Sequence, residues 1–467
     1  MTNPESERAA GRSSLRGIVR RESAGALVLT ASFPFVFLHE RYQPDLAVGL
    51  GSATLDIRLS DVAVLAVVVA AAVSAFRSGL APLRPARYLW LAGVALLAWL
   101  AFETVRPAAT ADALFSTHVV TLFKFGEYAL LAVAVPLLVR RAVDLTIVLG
   151  GLVLWSTAAT AVAIAQFFGL DVFGAWNPGW RQPSFLGHHD LAALSAIALA
   201  LAVAAIVAER RRAPARALVP VALAAGALGL VVAGSVAAAG GLAVGAIVLW
   251  LAGRRYAPSW KRGVAVAAVV LAVGGGVTAV RGDALADFLR FIGVRGDTLP
   301  KGVESYSQRT VLAYIGLRIF QDHPVTGVGW QRSSRPDVFE PYVPDARRRF
   351  PDVVELAFPA PGREWGVQNL YVQMLADAGV IGLGLTLAVG GIGLGLAWRT
   401  AARAPDPWGA GAGLVTLCAL LTLAAEWASL GIVAGIPLQA ATCLVLGLSA
   451  AGAAVVAGAN ETVPPVG

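Results

Sequence analysis

The sequence has little charge, few cysteines and almost no lysine. Charged residues make up 14% of the 467 positions, and lysine occurs only at Lys124, Lys261 and Lys301. Because soluble globular domains usually carry about a quarter charged residues, this shortage excludes an ordinary soluble enzyme. The two cysteines, Cys418 and Cys443, both lie in apolar stretches, which argues against a disulfide framework or a cysteine-based metal site.

What the sequence has in excess is apolar residues, which make up 57% of the chain. They come in repeated runs of roughly 18–25 residues, the length of helix that crosses about 30 Å of hydrocarbon. We therefore predict an all-α polytopic integral membrane protein with about 12 transmembrane helices. The predicted spans are 24–39, 60–77, 88–104, 113–139, 143–168, 190–208, 217–234, 236–252, 263–281, 368–397, 410–429 and 431–457.

Arginine in every second connection predicts the orientation of these helices. Since cytoplasmic connections are the basic ones, both termini are placed on the cytoplasmic side of a bacterial inner membrane. The net charge of +8 is attributed to these orienting arginines rather than to nucleic-acid binding. The predicted division is a cytoplasmic tail (1–23), helices one to nine (24–281), a large external loop (282–366), the last three helices (367–457) and a second cytoplasmic tail (458–467).

The external loop is predicted to contain an amphipathic helix. In the segment SYSQRTVLAYIGLRIFQ, four apolar residues recur at helical spacing on one face, namely Val311, Leu312, Ile315 and Ile319. The following HPVTGVG contains a proline and two glycines, which are typical of a helix end. The sequence therefore predicts one helix, followed by a sharp turn, inside the loop.

The same loop is rich in arginine. Its basic residues are Arg290, Arg295, Lys301, Arg309, Arg318, Arg332, Arg335, Arg347, Arg348, Arg349 and Arg363. The planar guanidinium group suits phosphate recognition, so one interpretation is a pocket for an anionic, lipid-linked substrate. The other interpretation is a solvated loop whose arginines are balanced by its own aspartates and glutamates.

Three segments, in this order along the chain, resemble the O-antigen ligase and polymerase superfamily. They are FLGHHDLAALSAIAL, QRTVLAYIGLRIFQDHPVTGVGW and QNLYVQMLADAGVIGLG. The positions that match the family pattern are Arg309, Pro324, Gly327, Gly329, Asn369, Asp377 and Gly379. The helix number and the position of the long loop are also similar to that family.

The resemblance implies a membrane-embedded glycosyltransferase of the GT-C type. Such an enzyme transfers glycan from an undecaprenyl-diphosphate carrier to a saccharide or lipid acceptor, on the outer face of the cytoplasmic membrane. It needs no nucleotide sugar, obligatory metal or other cofactor. The expected partners are the undecaprenyl-diphosphate-linked glycan, its acceptor and membrane lipids, without nucleic acid.

The resemblance and the polar residues near the outward helix ends together give a set of candidate site residues. The catalytic candidates are Arg309, Gln368, His188, His189 and Asp190. The substrate-binding candidates are Lys124, Glu127, Arg318, His323, Arg332, Arg363 and Asn369. In this hypothesis Arg309, aided by Lys124 or another loop arginine, holds the diphosphate, while the acceptor side is lined by Gln368, Asn369 and one of the two histidines.

The sequence departs from the family pattern at two places. Gln368 stands where the ligases have a histidine that is the favoured base, and the stretch around Ser235 lacks an arginine that often follows this serine. Other residues could replace these groups, the chain could belong to a polymerase-like branch, or it could have lost catalysis. The acid Glu426 has no partner that the sequence can assign.

Several individual residues also allow a structural interpretation. The residues from His188 to Asp190 could form a histidine–aspartate pair that acts as a catalytic base. Alternatively, they could cap a helix at the membrane interface. Lys124 could pair with Glu127 one helical turn away or contact a phosphate, and His323 could simply help to end a helix.

Two non-enzymatic functions are consistent with the sequence as well. One is a transporter or flippase for a lipid-linked saccharide, and the other is a degenerate family member that acts as a scaffold in envelope assembly. Convergence of Arg309, Gln368 and His188 on one outward cavity would favour the enzyme. A polar channel through the whole bundle would favour the transporter.

Overall fold

The computed structural model of the chain is a bundle of long helices. It describes residues 23–50, 53–107, 115–208, 216–252, 259–291, 305–404, 407–432 and 437–461. The predicted terminal tails lie outside this range, apart from the residues that border the first and last helices, and so do Arg295 and Lys301 of the loop.

A helix forms at each of the twelve predicted apolar stretches. They are α1 (Ala24–Val36), α2 (Leu59–Ser78), α3 (Arg87–Val105), α4 (Phe115–Leu138), α5 (Ala142–Phe167), α6 (His188–Ala208), α7 (Val219–Ala233), α8 (Val236–Ala252), α9 (Trp260–Val280), α14 (Leu370–Arg403), α15 (Pro407–Glu426) and α16 (Pro437–Glu461). Among the described residues, ten helices are long and apolar enough to cross a membrane, whereas α1 and α8 are shorter. The predicted all-α polytopic membrane fold is confirmed.

The described part of the loop between α9 and α14 contains four further α-helices: α10 (Gly282–Phe291), α11 (Ser305–Asp322), α12 (Pro336–Phe339) and α13 (Val343–Arg349). The helix α11 is the predicted amphipathic helix. Its four apolar residues Val311, Leu312, Ile315 and Ile319 are all buried. Most of this face packs in a small separate core with Phe339, Phe358 and Ala376. This packing fixes which side of α11 faces the bundle.

A short antiparallel hairpin lies between α1 and α2, where the sequence predicted only a connection. Its strands are β1 (Asp45–Leu50) and β2 (Ala53–Arg58), paired from Asp45 with Arg58 to Leu50 with Ala53. The strand β2 (ATLDIR) alternates between apolar and polar residues over its six positions, which is typical of a strand, whereas β1 (DLAVGL) does not alternate. Because a lone hairpin is marginal by itself, its contact with α2 and α4 supports it.

The helix α6 runs through the centre of the bundle. Of its apolar window, 94% is buried within the protein, and it packs against α5, α7 and α15. Small residues allow the close approach, as they commonly do between membrane helices: a Cβ atom added to Gly226 of α7 would lie 2.7 Å from the backbone nitrogen of Leu199. The first residues of α6, His188 and His189, consequently lie at one end of the bundle core.

The glycine-rich motif of the loop forms a joint with α14, which we call the loop–helix joint (residues 324–329 and 376–380). The backbone N–H groups of Val328 and Gly329 donate to the carbonyl oxygens of Ala376 and Asp377 at 2.9 and 2.8 Å, and Val380 N–H donates to the carbonyl of Pro324 at 2.9 Å. The helix α14 is broken here, since Gly379 has φ +66°. Most of the motif positions therefore have a structural role.

Candidate active site

A polar cavity of about 400 Å³ lies at the end of the bundle beside α11. The helices α6, α8 and α14 all begin at this cavity, so their N-terminal ends, which carry partial positive charge, lie around it. The described residues that line it are Arg181, His188, His189, Gly234, Ser235, Val236, Ala237, Arg281, Arg309, Thr310, Ala313, Gln368, Asn369, Ala428 and Ser429.

Arg309 links the loop to the helix ends. Its Nε donates a hydrogen bond to Gln368 Oε1 at 2.9 Å, and its Nη2 lies 3.1 Å from His189 Nε2. The buried face of α11 holds this arginine on the side that meets the cavity. The structure thus brings together Arg309, Gln368 and His189, three of the residues predicted for the site.

His189 forms a buried pair with Glu426, the last residue of α15. The distance between His189 Nδ1 and Glu426 Oε1 is 2.7 Å, and the hydroxyl of Ser235 donates to the other carboxylate oxygen. Because a guanidinium group can only donate, the contact with Arg309 requires Nε2 of His189 to accept. The proton of the neutral imidazole is then on Nδ1, where it bonds to Glu426, and Nε2 keeps its lone pair.

Two arginines that the sequence did not assign to the site also line the cavity. A Cβ atom added to Gly234, the residue before Ser235, would lie 3.0 Å from Arg181 Cβ and 3.1 Å from Arg281 Cδ. Both side chains therefore flank the turn between α7 and α8. The stretch around Ser235 lacks the arginine of the family pattern. In the folded protein, however, two arginines from other segments, Arg181 and Arg281, lie beside this turn.

His188 and Asn369 line the cavity as predicted, with different surroundings. The His188 ring lies 5.0 Å from the Trp176 ring, which in turn has the guanidinium of Arg181 at 4.7 Å. The side chain of Asn369 caps α14, accepting from the N–H groups of the second and third helical residues at 3.0 and 3.1 Å, and donates to the carbonyl of Ala428 at 2.8 Å. Asn369 therefore serves mainly to hold the cavity wall.

Asp190 faces away from the cavity, although it follows the two histidines directly. Its carboxylate accepts from the backbone N–H of Leu438, in the first turn of α16, at 2.7 Å. Successive residues at the start of a helix point about 100° apart, which explains why Asp190 and His189 have different partners. The position of Asp190 fits the capping alternative.

Lys124 and Glu127 lie elsewhere, beneath the β-hairpin. Lys124 forms an ion pair with Asp61 of α2 and donates to the carbonyl oxygen of Asp56 at 2.8 Å, while Glu127 lies close to both of these charged side chains. The sequence could not anticipate Asp61 as the partner, because this residue belongs to another helix. Neither Lys124 nor Glu127 lines the described cavity.

Most of the predicted loop residues also lie outside the cavity. Arg318 pairs with Asp345 at 3.2 Å, and Arg332 with Asp337 at 3.4 Å. Asp345 also accepts a hydrogen bond from Tyr314, and this bond lowers the pKa of its carboxyl group. These contacts fit the interpretation of a loop balanced by its own acids.

The two remaining substrate-binding candidates lie in turns of the loop. His323 is exposed at the end of α11 and accepts from Gly327 N–H through its backbone carbonyl. Arg363 makes a backbone bridge with Ala360. Of the loop arginines that the structure describes, Arg309 is the one that lines the cavity.

The described residues offer no obvious metal site: no group of three or more His, Cys, Asp or Glu side chains comes together as a ligand set. The chemically active groups that line the cavity are guanidinium, imidazole and amide, and the carboxylate of Glu426 is bonded to the imidazole of His189. Such a set can bind an anion and move a proton.

The loop and the helices that flank it match a known protein family. Residues 221–387 match the family model described as O-Antigen ligase. This region is similar to an O-antigen ligase domain. The match covers α7 to the first half of α14, including Arg309, Gln368 and the loop–helix joint, and it confirms the predicted resemblance to the O-antigen ligase and polymerase superfamily. A comparison with curated proteins gives no match.

The O-antigen ligase domain does not contain the whole cavity. His189 and Arg181 precede residue 221 and Glu426 follows residue 387. The His189–Glu426 pair therefore joins two segments outside the domain to Arg309 within it. A sequence signal for Glu426 existed, because a lone acid in an apolar stretch is costly unless it is paired.

Proposed function

We propose that this O-antigen ligase-like membrane protein transfers glycan from an undecaprenyl-diphosphate carrier to a hydroxyl group of an acceptor. The reaction takes place on the outer face of the cytoplasmic membrane, with both chain termini in the cytoplasm. The observation that carries the proposal is the cavity lined by Arg181, Arg281, Arg309 and His189, whose imidazole is bonded to Glu426.

The arginines suit the diphosphate. Three guanidinium groups and three helix N-termini surround one cavity, and both kinds of group stabilise phosphate oxygens. When the bond between the sugar and the carrier breaks, negative charge develops on the leaving diphosphate. Cationic groups that are already in place stabilise this charge without reorganising.

The His189–Glu426 pair suits the acceptor. The acceptor oxygen attacks the anomeric carbon, the bond from that carbon to the diphosphate oxygen breaks, and the acceptor proton passes to Nε2 of His189. Glu426 then stabilises the imidazolium through the Nδ1 hydrogen bond. For this step Arg309 must turn from Nε2 towards the diphosphate, which is the stronger anionic partner. His189 thereby replaces the base that Gln368 cannot provide.

The region beneath the cavity disfavours the transporter alternative. From Leu191 to Ala208 the central helix α6 is apolar except for Ser195, and nearly all of it is buried against other helices. A saccharide would meet no polar path along this helix. The convergence of Arg309 and Gln368 with the two histidines, by contrast, is what the enzymatic hypothesis requires.

The experiment is a deletion strain complemented with single variants, in which envelope glycans and lipid-linked intermediates are profiled. Deletion should cause diphosphate-linked glycan to accumulate. Arg309→Ala should behave like the deletion at normal protein level, because the cavity loses the arginine that contacts both Gln368 and His189.

Arg318→Ala is the matched control, since Arg318 lies on the same helix α11 but pairs with Asp345 outside the cavity. It should restore the wild-type glycan profile. Normal transfer by the Arg309→Ala variant would refute the assignment of Arg309, and an unchanged lipid profile in the deletion strain would refute the proposed reaction.

A further inference from the structure

The loop before α6 carries two tryptophans at the end of the bundle where the polar cavity lies. They are Trp176 and Trp180, and Arg181, which follows them directly, lines the cavity. Trp176 is 36% exposed and Trp180 is 62% exposed. Neither ring takes part in the proposed reaction.

A buried glutamine holds the backbone of this loop. The Oε1 atom of Gln182 accepts from the N–H of Trp176 at 2.9 Å, and its Nε2 donates to the carbonyl of Asn177 at 2.9 Å. The backbone N–H of Gln182 donates to the carbonyl of Val232, near the end of α7, at 2.9 Å. The loop is thus attached to the bundle and holds Trp176 in position before a ligand binds, which lowers the cost of binding.

Trp176 is the first of three rings in contact that lead to the proposed base. Its ring centroid lies 5.0 Å from that of His188, and the centroid of His188 lies 4.1 Å from that of His189. The guanidinium carbon of Arg181 lies 4.7 Å from the centroid of the Trp176 ring. We call Trp176, His188 and His189 the aromatic wall. One end of this wall is partly exposed, and the other end is the imidazole proposed to take the acceptor proton.

The middle ring of the aromatic wall has an unsatisfied nitrogen. The Nε2 atom of His188 is buried and has no hydrogen-bond partner within the part of the chain that the structure describes, although His188 lines the polar cavity. Because buried polar atoms are nearly always paired, this atom indicates a ligand. A hydroxyl group held in the cavity would satisfy it.

From this arrangement we infer that the aromatic wall is a saccharide subsite, in which a pyranose ring packs on the exposed part of Trp176 and one of its hydroxyl groups bonds to His188. The inference rests on the proposed function. A pyranose has an apolar face of C–H groups and a rim of hydroxyl groups, so it needs aromatic surface and polar atoms side by side, which tryptophan and histidine supply together. The donor glycan and the acceptor both contain such rings, and two binding measurements distinguish these sources.

An anchor at the membrane interface is the other common role of exposed tryptophans. This role fits Trp180, which is the more exposed of the two. It does not account for Trp176, because the ring of Trp176 packs against two polar side chains that line the cavity, Arg181 and His188. The two tryptophans therefore give a matched comparison within one loop.

The first measurement tests a sugar ring of the donor. The full-length protein is purified in detergent, and native mass spectrometry gives its affinities for undecaprenyl diphosphate and for undecaprenyl diphosphate that carries one N-acetylglucosamine. Diphosphate and hydrocarbon are the same in both ligands, so a general effect of a variant on these parts cancels in the ratio of the two affinities. If the aromatic wall binds the donor, the wild-type protein should bind the glycosylated lipid about tenfold more tightly, the usual worth of one apolar ring contact.

The second measurement tests a sugar ring of the acceptor. Oligosaccharides released from the cell envelope of the same strain are added to protein that is already loaded with undecaprenyl diphosphate. If the aromatic wall binds the acceptor, the oligosaccharides should bind to this complex, and the ratio of the two lipid affinities should stay near one.

Trp176→Ala should abolish the sugar-dependent binding that the wild-type protein shows, and Trp176→Phe, which keeps an aromatic ring, should restore most of it. Trp180→Ala is the matched control and should leave this binding at the wild-type value. If Trp176→Ala no longer binds undecaprenyl diphosphate, His188→Phe tests the same subsite, because it keeps the ring but removes the unsatisfied nitrogen, and it should weaken the sugar-dependent binding.

Two results would overturn the inference. One is that the wild-type protein shows no sugar-dependent binding in either measurement. The other is that the Trp176 and His188 variants keep this binding, or that Trp180→Ala loses it to the same extent as Trp176→Ala.

The two proposals can fail independently. Sugar-dependent binding that Trp176→Ala abolishes, in a protein whose deletion leaves envelope glycans normal, would support the saccharide subsite and reject the transferase. Glycan transfer by a protein whose sugar-dependent binding ignores the Trp176 and His188 variants would do the reverse.

Discussion

At the residue scale, the hydrogen bond between Arg309 and His189 constrains the orientation of both side chains. The guanidinium of Arg309 occupies Nε2 of the imidazole at 3.1 Å, while Glu426 occupies Nδ1 at 2.7 Å. With both ring nitrogens engaged, the imidazole has a fixed tautomer and a fixed orientation. A diphosphate that attracts Arg309 would release Nε2, so binding of the donor would itself prepare the base.

The first prediction concerns the pair His189 and Glu426. His189→Gln and Glu426→Gln should each lower the rate of glycan transfer by about 10²–10⁴, the usual contribution of a general base. Both glutamines keep the volume and hydrogen-bonding ability of the site approximately, but neither can accept and hold the proton. The measurement is transfer in membranes at matched protein level.

Asp190→Asn is the control for this pair, because it replaces a neighbouring carboxyl group that faces α16 instead of the cavity. It should weaken the contact with Leu438 N–H and lower the thermal stability in detergent, by about 0.5–2 kcal/mol if the loss resembles that of a helix cap. The rate per folded molecule should change little. A rate loss equal to that of His189→Gln would mean that Asp190, too, takes part in the reaction.

The sequence predicted about half of this site. Arg309, Gln368, His188 and His189 were found because they lie in segments that resemble a family or stand at the ends of apolar runs. The role of Glu426 was missed because its partner His189 is 237 residues away in the chain. Contacts at such a separation depend on how helices pack, which local spacing does not encode.

At the scale of elements, the loop–helix joint connects the site to the bundle. It attaches the segment after α11 to α14 just below Gln368 and Asn369, so Arg309 and Gln368 belong to elements that are held together by backbone hydrogen bonds. Gly379 allows this arrangement, because a Cβ atom there would lie 2.0 Å from the carbonyl oxygen of Val325.

The second prediction is that Gly379→Ala strongly destabilises the protein. The backbone conformation of Gly379 (φ +66°, ψ −166°) is essentially restricted to glycine. It costs another residue about 1–3 kcal/mol, and the overlap with Val325 adds to this cost. Thermal unfolding in detergent should show a clear fall in midpoint, together with a loss of transfer.

Gly384→Ala is the comparison, since Gly384 lies in the same helix with open space around it. A methyl group there should be neutral or slightly stabilising, because alanine is the better helix former. Equal behaviour of the two variants would show that the joint does not constrain the fold.

The elements were predictable to different degrees. The apolar stretches and α11 could be predicted because their periodicity and length are imposed by the membrane and by the small core of the loop. The break at Gly379 could not, since the apolar pattern continues across it. The hairpin β1–β2 was predictable only in part, because β2 alternates between apolar and polar residues but β1 does not. Contacts with neighbouring helices also stabilise it.

At the scale of the whole molecule, the next prediction concerns the orientation of the protein in the membrane. Single cysteines placed at the exposed positions Glu364 in the loop and Arg399 near the end of α14 should respond oppositely to a charged, membrane-impermeant maleimide added to intact cells. Glu364→Cys should be labelled, and Arg399→Cys only after the membrane is opened.

The native cysteines give a low background for this measurement. Cys418 is buried, and Cys443 lines an apolar cavity within the helix bundle, so neither meets a charged reagent readily. The unmodified protein serves as the blank. Labelling of Arg399→Cys in intact cells would reverse the predicted topology and place the cavity on the cytoplasmic side.

The enclosed position of α6 has a consequence for biogenesis. This helix enters the bilayer while α14 to α16 are still unsynthesised, so its alanine-rich surface is at first solvated by acyl chains. The part of its surface that α15 and α16 cover exchanges lipid for protein only when those helices arrive. The same event delivers Glu426 to His189 and Leu438 to Asp190. Completion of the polar cavity is thus coupled to insertion of the final helices, and a nascent chain released before them would lack the His189–Glu426 pair.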